Sequence, residues 1–410
     1  IFYGWRMVFA AASLQFIQAM MLHQAFGAYV AVLIEQKGWS KTSVSGASAM
    51  MSMEAAVIGP ILGWFLDKFG SQGVIKIGVI LFGVGFILLS MIDSLGQFYG
   101  AVVVIAIGAS MAGYFPLNVG VIQWFEKKRA RALSIVGLGL ALGGMFVPIV
   151  AGSIQYFGWR QTAFGCGVLA ILIGYPLARI FKRRPEDFGM HVDGIDPATV
   201  PQNKKEVDLK DYRPEREFTA KQALRTRAFW LLSLGHALAL VVVTAVNTHA
   251  INHMRIALDY TIGHASIFIT LMTAFQVIGV LLGGYFGDKF DKRLVAAICM
   301  LMHAGGLLML TYATGATMLV VFAVAHGLAW GIRGPFMQAI RADYFGRRSI
   351  GMILGLSAMI VAAGQITGPL LAGILGDATG NYRLGFTVLA LIAACGSVVF
   401  WFAKKPPMPT

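Results

Sequence analysis

The stretch Gly63-Trp64-Phe65-Leu66-Asp67-Lys68-Phe69-Gly70 recurs with few changes as Gly284-Tyr285-Phe286-Gly287-Asp288-Lys289-Phe290. The two aspartates lie 221 positions apart, and three further pairs of motifs are separated by 220 to 223 positions. These pairs are Trp124-Phe125 with Tyr344-Phe345, Pro148 with Pro369, and Trp159-Arg160 with Tyr382-Arg383. Similarity at one nearly fixed offset indicates a duplicated architecture. The chain is therefore predicted to consist of two homologous halves.

The composition is typical of a membrane protein. Hydrophobic residues make up 57% of the chain, charged residues make up 13%, and the mean hydropathy is +0.72. A soluble domain has about 45–50% apolar and about 25% charged residues. Each long apolar stretch is able to cross a hydrocarbon layer of about 30 Å. We predict twelve transmembrane helices, at residues 5–33, 42–66, 73–92, 97–123, 130–155, 160–181, 229–254, 264–286, 293–313, 317–340, 349–374 and 383–403.

These helices form two groups of six. The predicted fold is an all-α integral membrane protein with two pseudo-symmetric six-helix bundles, residues 1–181 and 229–410. The polar segment 182–228 between them holds four of the thirteen prolines and is predicted to be a linker. Of the 33 Lys and Arg residues, 26 fall on the side of the linker and both termini, and five fall on the other side. The positive-inside rule places the first side in the cytoplasm.

This distribution also accounts for the net charge of +14. Anionic lipid of the inner leaflet is a sufficient partner for it, and no nucleic acid is predicted to bind. We expect a multi-pass monomer in the inner cell membrane. The three cysteines lack a metal-ligand spacing, and the chain has no phosphate-binding GxxxxGK[ST] loop. We therefore predict no metal, no cofactor and no enzymatic activity.

Short motifs in both halves form a recognisable set. They are Tyr3-Gly4-Trp5, Gly38-Trp39-Ser40-Lys41-Thr42, Asp67-Lys68-Phe69-Gly70-Ser71, Leu117-Asn118, Gly158-Trp159-Arg160 and Arg333-Gly334-Pro335. The set resembles the major facilitator superfamily, and within it the monocarboxylate transporter group, especially its bacterial branch. The resemblance implies a secondary transporter whose first, fourth, seventh and tenth helices line a central cavity.

The chain departs from that group at positions that matter for transport. Animal members carry a lysine in the first helix, where this chain has Gln24, or His23 with a one-residue slip. They carry an Asp and an Arg in the eighth helix, where this chain has Gln276 and Val280. Lactate specificity and the usual proton site are therefore not implied.

The repeated motif predicts a conformational latch. A carboxylate at the cytoplasmic end of one helix can meet the N-terminus of another, and neighbouring glycines allow close approach. Such a contact can be made in one state and broken in another. The proposed latch residues are Asp67, Lys68, Asp288 and Lys289. The alternative is that they are ordinary charges flanking a membrane span.

Arg333 is the main candidate for substrate binding. It precedes Asp343 by ten residues, which places it about 15 Å along a helix from the cytoplasmic end. A guanidinium there can bind a carboxylate through two parallel hydrogen bonds. The alternative is a structural arginine bonded to backbone carbonyls. Further candidates for the substrate site are Tyr114, which corresponds to Arg333 across the repeat, and Asn118, His249, Gln24 and Gln276.

Two residues are candidates for proton coupling. Glu54 is the one carboxylate well inside a predicted helix, about 20 Å from the cytoplasmic end. His249 shares a helix face with His253, and histidine titrates near neutral pH. Each can also be a neutral, hydrogen-bonded packing residue. The histidines His236, His303 and His326 are interpreted as packing residues.

Together these features favour a proton-coupled symporter of a small organic anion, with a monocarboxylate as the first choice. The alternatives are an organic anion exchanger and an exporter of an amphipathic compound. A methionine-rich segment in the first half suits loose recognition of the latter kind.

Overall fold

The computed structural model describes residues 2–23, 26–39, 41–195 and 217–408, and these residues form helices and connecting turns without a strand. The helices of the first half are α1 (Tyr3–Gln18), α2 (Phe26–Lys37), α3 (Lys41–Phe69), α4 (Ser71–Ser90), α5 (Leu95–Ala112), α6 (Tyr114–Ile122), α7 (Arg129–Met145), α8 (Val147–Phe157) and α9 (Trp159–Arg179). Those of the second half are α10 (Ala220–Leu224), α11 (Arg227–Leu258), α12 (Ile262–Lys289), α13 (Lys292–Thr311), α14 (Ala316–Phe345), α15 (Ile350–Thr379) and α16 (Arg383–Phe402).

Ten helical segments within the described ranges are long and apolar enough to cross a membrane. All six predicted spans of the second half are among them. In the first half, the predicted spans 42–66 and 130–155 are not. The all-α membrane fold is therefore confirmed, and the count of twelve spans and the cytoplasmic termini stay predictions.

Several helices of the first half are interrupted where the sequence predicts one continuous helix. The predicted helix 97–123 breaks at Gly113, whose backbone is extended (φ −95°, ψ −161°), and α6 then begins with Pro116 in its first turn. Proline is tolerated there because the first-turn N–H has no helical partner. The matching helix α14 contains Pro335 and continues through it. Similar sequence in the two halves thus gives different backbone paths.

The other two interruptions lie in the predicted helices 5–33 and 130–155. The first changes from α1 into a π-helical turn at Ala19–His23 before α2 begins. The second breaks at Phe146, between α7 and α8.

The described residues pack into two units. Unit 1 takes its residues from Ile1–Lys128, Ile135–Glu215 and Ser349–Gly355, and unit 2 from Arg129–Ser134, Arg216–Arg348 and Leu356–Thr410. The first turn of α7 thus packs within unit 2, and the first turn of α15 packs within unit 1. The division into domains at residues 181 and 229 stays a prediction.

Within unit 2, α12 and α14 pack backbone against backbone. A Cβ atom on Gly331 would lie 2.1 Å from the carbonyl oxygen of Gln276, and one on Gly327 would lie 2.3 Å from that of Met272. A Cβ atom on Gly283 would lie 2.4 Å from the carbonyl oxygen of Ile332. Such close approach needs small residues on both helices. This contact fixes the position of the α14 segment that carries Arg333.

A pair of substitutions on α14 tests the contact. Gly331→Ala must displace α12, and we expect it to destabilise the protein by about 1–3 kcal/mol, as overpacking does. Gly334→Ala is the matched control, because no atom lies within 4 Å of a Cβ placed there. It should leave stability unchanged or raise it by about 0.5–1 kcal/mol. Thermal unfolding of the purified protein in detergent measures both, and equal melting temperatures would contradict the packing described.

Candidate substrate, proton and latch sites

The aspartates of the repeated motif each cap the N-terminus of another helix. The carboxylate of Asp67 accepts the N–H groups of Gly351 and Met352, both at 2.8 Å. The carboxylate of Asp288 accepts those of Ala130 and Arg131, at 2.9 and 3.3 Å. Donors and acceptors are both displaced by 221 positions, so the duplication extends to these hydrogen bonds. First-turn N–H groups lack helical acceptors and lie at the positive end of the helix dipole.

The neighbouring lysines make different contacts. The Nζ of Lys68 lies 4.7 Å from the ring centre of Trp64 on the same helix. The Nζ of Lys289 lies 4.4 Å from the ring centre of Tyr285 and donates to its hydroxyl at 2.6 Å. Each amine thus packs on an exposed aromatic ring of its own helix. The structure shows helix-capping contacts of the aspartates, and the conformational latch and the role of the lysines in it stay predictions.

A salt-bridge cluster adjoins the Asp288 cap. Asp343 forms salt bridges with Arg129 and Lys292, the latter at 2.8 Å. The corresponding position of the first half, 220 residues earlier, is Gln123. The second half therefore adds charge pairs to a contact that the two halves otherwise share.

Arg333 lies in a buried group of basic side chains in unit 2. Its side chain is 1% exposed, that of Arg341 is 2% exposed, and those of His303 and His326 are fully buried. Arg341 donates to the carbonyls of Met337 (2.6 Å) and Leu232 (3.3 Å). It also lies 3.5 Å from Nδ1 of His236. We call the set His236, His303, His326, Arg333 and Arg341 the basic cluster.

The sequence predicted a functional role for only one member of the basic cluster, Arg333. The histidines are on three different helices, and their proximity depends on how α11, α13 and α14 pack. One signal was present on α14. His326 precedes Arg333 by seven residues, which is two helical turns and therefore the same face.

No carboxylate of the second half lies in the middle of a helix. The acidic residues from 217 to 408 are in loops, at caps or in terminal helical turns: Glu217, Asp259, Asp288, Asp291, Asp343 and Asp377. Burying a charge is costly unless an opposite charge or strong hydrogen bonds compensate. Within the described residues of unit 2, the buried positive charge of the basic cluster is therefore not accompanied by a mid-helix carboxylate.

Glu54 lies on α3 in unit 1 and is half-buried. Its Oε2 accepts a hydrogen bond from the hydroxyl of Ser110 on α5 at 3.0 Å. Its Oε1 is buried and has no hydrogen-bond partner among the described residues. One carboxylate oxygen of Glu54 is thus hydrogen-bonded, and the other has a buried lone pair that can accept a proton. That arrangement is suited to a group that gains and loses a proton.

Asn118 and Tyr114 lie one turn apart on α6, in the same unit as Glu54. Asn118 is fully buried, and neither atom of its amide has a hydrogen-bond partner within the described part of the chain. Tyr114 is half-buried. Gln24 lies outside the described residues. Gln276 is half-buried on α12, with its carbonyl against Gly331.

His249 bonds to the backbone of α15. Its Nε2 lies 3.0 Å from the carbonyl oxygen of Pro369, and because a carbonyl only accepts, Nε2 carries the hydrogen. Pro369 has no N–H, so the carbonyl of Gln365 loses its helical donor. The hydroxyl of Thr244 lies 3.1 Å from that oxygen and 2.7 Å from the carbonyl oxygen of Leu240 on its own helix, so its one hydrogen is shared between the two. His249 and Thr244 of α11 thus both donate to α15 around its proline.

The sequence profile of the Major Facilitator Superfamily matches residues 8–254 and again residues 232–410. The chain belongs to this superfamily. It is 24% identical to the hexuronate transporter of Escherichia coli (strain K12), covering 97% of this chain and 93% of that protein. It is 22% identical to monocarboxylate transporter 13 of Bos taurus, covering 97% of this chain and 88% of that protein.

A solved structure has the same fold. The fucose:proton symporter of Escherichia coli superposes with a TM-score of 0.72 at 15% identity, covering 97% of this chain and 98% of the symporter. The chain is therefore a multi-pass membrane transporter with the major facilitator fold, and not an enzyme. The predicted superfamily is confirmed, and the narrower resemblance to the bacterial monocarboxylate branch stays a prediction.

The two helix-capping aspartates lead to a stability prediction. Asp67→Ala and Asp288→Ala each remove two acceptors from a helix N-terminus, and each should destabilise the protein by about 0.5–2 kcal/mol. The Asn variants keep one acceptor oxygen and should lose less. Asp377→Ala is the control, because Asp377 is exposed in the last turn of α15. Thermal unfolding in detergent measures the series, and a loss for Asp377→Ala equal to the other two would contradict the capping role.

Proposed function

We propose that the protein is a proton-coupled symporter of a small organic anion, with monocarboxylates as the first class to test. The observation that supports this most is Arg333, buried in the middle of α14 in a half whose carboxylates all lie at helix ends or in loops. A substrate carboxylate would add a negative charge beside this buried guanidinium. Its two oxygens match the parallel N–H donors of a guanidinium.

The relatives agree with an anionic substrate. One is named for hexuronate and another for monocarboxylates, and both kinds of compound carry a carboxylate. The class of substrate we propose is therefore a small carboxylate, within which chain length and hydroxyl content remain to be measured.

In this proposal, each predicted site residue has a role. Arg333 binds the carboxylate, and Glu54 carries the coupled proton. The other substrate contacts are Tyr114, Asn118, His249, Gln24 and Gln276, with His249 as the alternative proton carrier. Asp67, Lys68, Asp288 and Lys289 form the latch of one state in alternating access. The transporter acts as a monomer in the inner cell membrane.

A second candidate function is exchange or export of an amphipathic compound. It is favoured by methionines in unit 1, where Met21 is buried and Met20, Met50 and Met51 pack against the same apolar cluster. Methionine adapts its shape to different apolar ligands. The transport assay below distinguishes this function from symport.

Uptake by proteoliposomes tests the substrate class. Labelled lactate, pyruvate and glucuronate are offered with and without an inward proton gradient. Arg333→Gln removes the charge and the paired donors, and we expect it to reduce uptake more than tenfold, since truncating a buried charged partner costs about 2–5 kcal/mol. Arg333→Lys keeps the positive charge but lacks the two parallel N–H donors, and it should retain partial uptake. Full uptake of all these anions by Arg333→Gln would overturn the assignment.

The control for this assay is Arg255→Gln, because Arg255 is exposed near the end of α11 in the same unit. It should transport as the unmodified protein does. Uptake that ignores the proton gradient and needs an internal anion would replace symport with exchange.

Proton coupling is tested at Glu54. Glu54→Gln cannot release a proton, so we expect it to lose accumulation driven by the gradient while retaining exchange of internal for external anion. Glu126→Gln, at an exposed carboxylate outside the helices, is the control. Gradient-driven accumulation that persists in Glu54→Gln would exclude Glu54 as the required proton carrier.

A further inference from the structure

Two buried histidines form a hydrogen-bonded pair within the basic cluster. Nδ1 of His303 on α13 lies 3.1 Å from Nδ1 of His326 on α14, with ring centres 4.4 Å apart. Both side chains are fully buried. Since a hydrogen bond needs one donor and one acceptor, one ring carries its hydrogen on Nδ1 and the other on Nε2. In the neutral pair, the donor ring therefore has a lone pair on Nε2.

Neither Nε2 atom has a hydrogen-bond partner within the described part of the chain. A proton that binds the lone pair of the donor ring forms one new N–H bond and breaks none. The Nδ1–H···Nδ1 bond stays intact and gains strength, because its donor ring is now charged. A second proton would have to occupy the acceptor Nδ1 and break the bond. The pair thus has room for one proton.

Burial is the main cost of a charge on either ring, and the positive charge of Arg333 adds to that cost. Arg333 lies two turns from His326 on the same face of α14. A fixed positive charge in a medium of low dielectric constant disfavours a second positive charge nearby. A carboxylate bound to Arg333 would cancel this effect.

The other helices packed around the pair add few charges. On α11, His236 contacts Arg341. On α13, Cys299 lies one turn from His303. The titratable groups of α12 are near its ends (His264, Tyr285, Asp288 and Lys289), and α16 carries Arg383 at its start and Cys395. Arg341 donates to backbone carbonyls, so in the proposed function Arg333 is the charge of the basic cluster that an anion contacts.

We propose that the His303–His326 pair is a second proton site, which binds one proton when an anion occupies Arg333. The proposal rests on the proposed anion at Arg333 and is independent of Glu54. The coupling is reciprocal, so a protonated pair binds the anion more tightly by the same factor that the anion favours the proton. Anion and proton would then enter and leave the second half of the transporter together.

The test is proton uptake on anion binding. The purified protein in weakly buffered detergent solution is mixed with lactate, pyruvate or glucuronate, and a pH-sensitive dye counts the protons taken up. The double variant His303→Asn/His326→Asn places an amide where each Nδ1 was, so the contact between the helices can persist without a titrating ring. It should take up one proton fewer per bound anion than the unmodified protein. In the unmodified protein, anion affinity should fall as the pH rises from 5 to 8. In the double variant, we expect this fall to be about tenfold smaller.

The controls separate the possible outcomes. His264→Asn changes an exposed histidine, stacked on Tyr260, and should behave as the unmodified protein. Anion binding with unchanged proton uptake in the double variant His303→Asn/His326→Asn would overturn the second proton site. Absence of anion binding to the unmodified protein would instead overturn the proposed function.

A further measurement covers the case in which the histidine variants fail to fold. Hydrogen exchange at the ring carbon of histidine, read by mass spectrometry, follows the titration of His303 and His326 in the intact pair. In Arg333→Gln, the loss of the nearby positive charge favours the protonated rings, so ring-carbon exchange at a given pH should become faster at both histidines. Unchanged exchange rates would overturn the coupling to Arg333.

Discussion

Hydrocarbon offers no hydrogen bonds, so each backbone group inside the membrane must be satisfied by the protein itself. Where a helix starts, ends or loses a donor, a side chain must therefore supply the missing hydrogen-bond partner. Asp67 and Asp288 satisfy first-turn N–H groups of α15 and α7. Thr244 shares its hydroxyl hydrogen with the carbonyl that Pro369 leaves without a donor. These side-chain hydrogen bonds connect neighbouring helices.

The duplication gives both halves similar helix-capping contacts, but the ionisable groups inside the helices differ between the halves. Unit 1 contains Glu54, and unit 2 contains the basic cluster around Arg333. In the proposed mechanism, the acid of one half serves the proton and the bases of the other half serve the anion. The proposed proton site at the histidine pair would lie two helical turns from Arg333, so the proton and the anion would interact within one half of the protein.

The sequence predicted what is local or repeated. The capping role of Asp67 and Asp288 followed from a motif that occurs twice at helix ends. The break at Gly113 was not predicted, because the same segment in α14 continues through its proline, and tertiary packing decides between the two. The contact between His303 and His326 was also not predicted, because the two residues lie on separate helices and meet only through the packing of α13 against α14. Single histidines in apolar segments look alike in a sequence whether or not they have such a neighbour.

The backbone contact between α12 and α14 has a consequence for selectivity. With the backbone carbonyl of Gln276 against Gly331, sliding of either helix past the other would meet a clash, so the packing resists relative motion of α12 and α14. The proposed substrate contacts Gln276 and Arg333 would then keep a nearly constant spacing during transport. In the proposed function, that spacing would limit the size of an anion that contacts both residues.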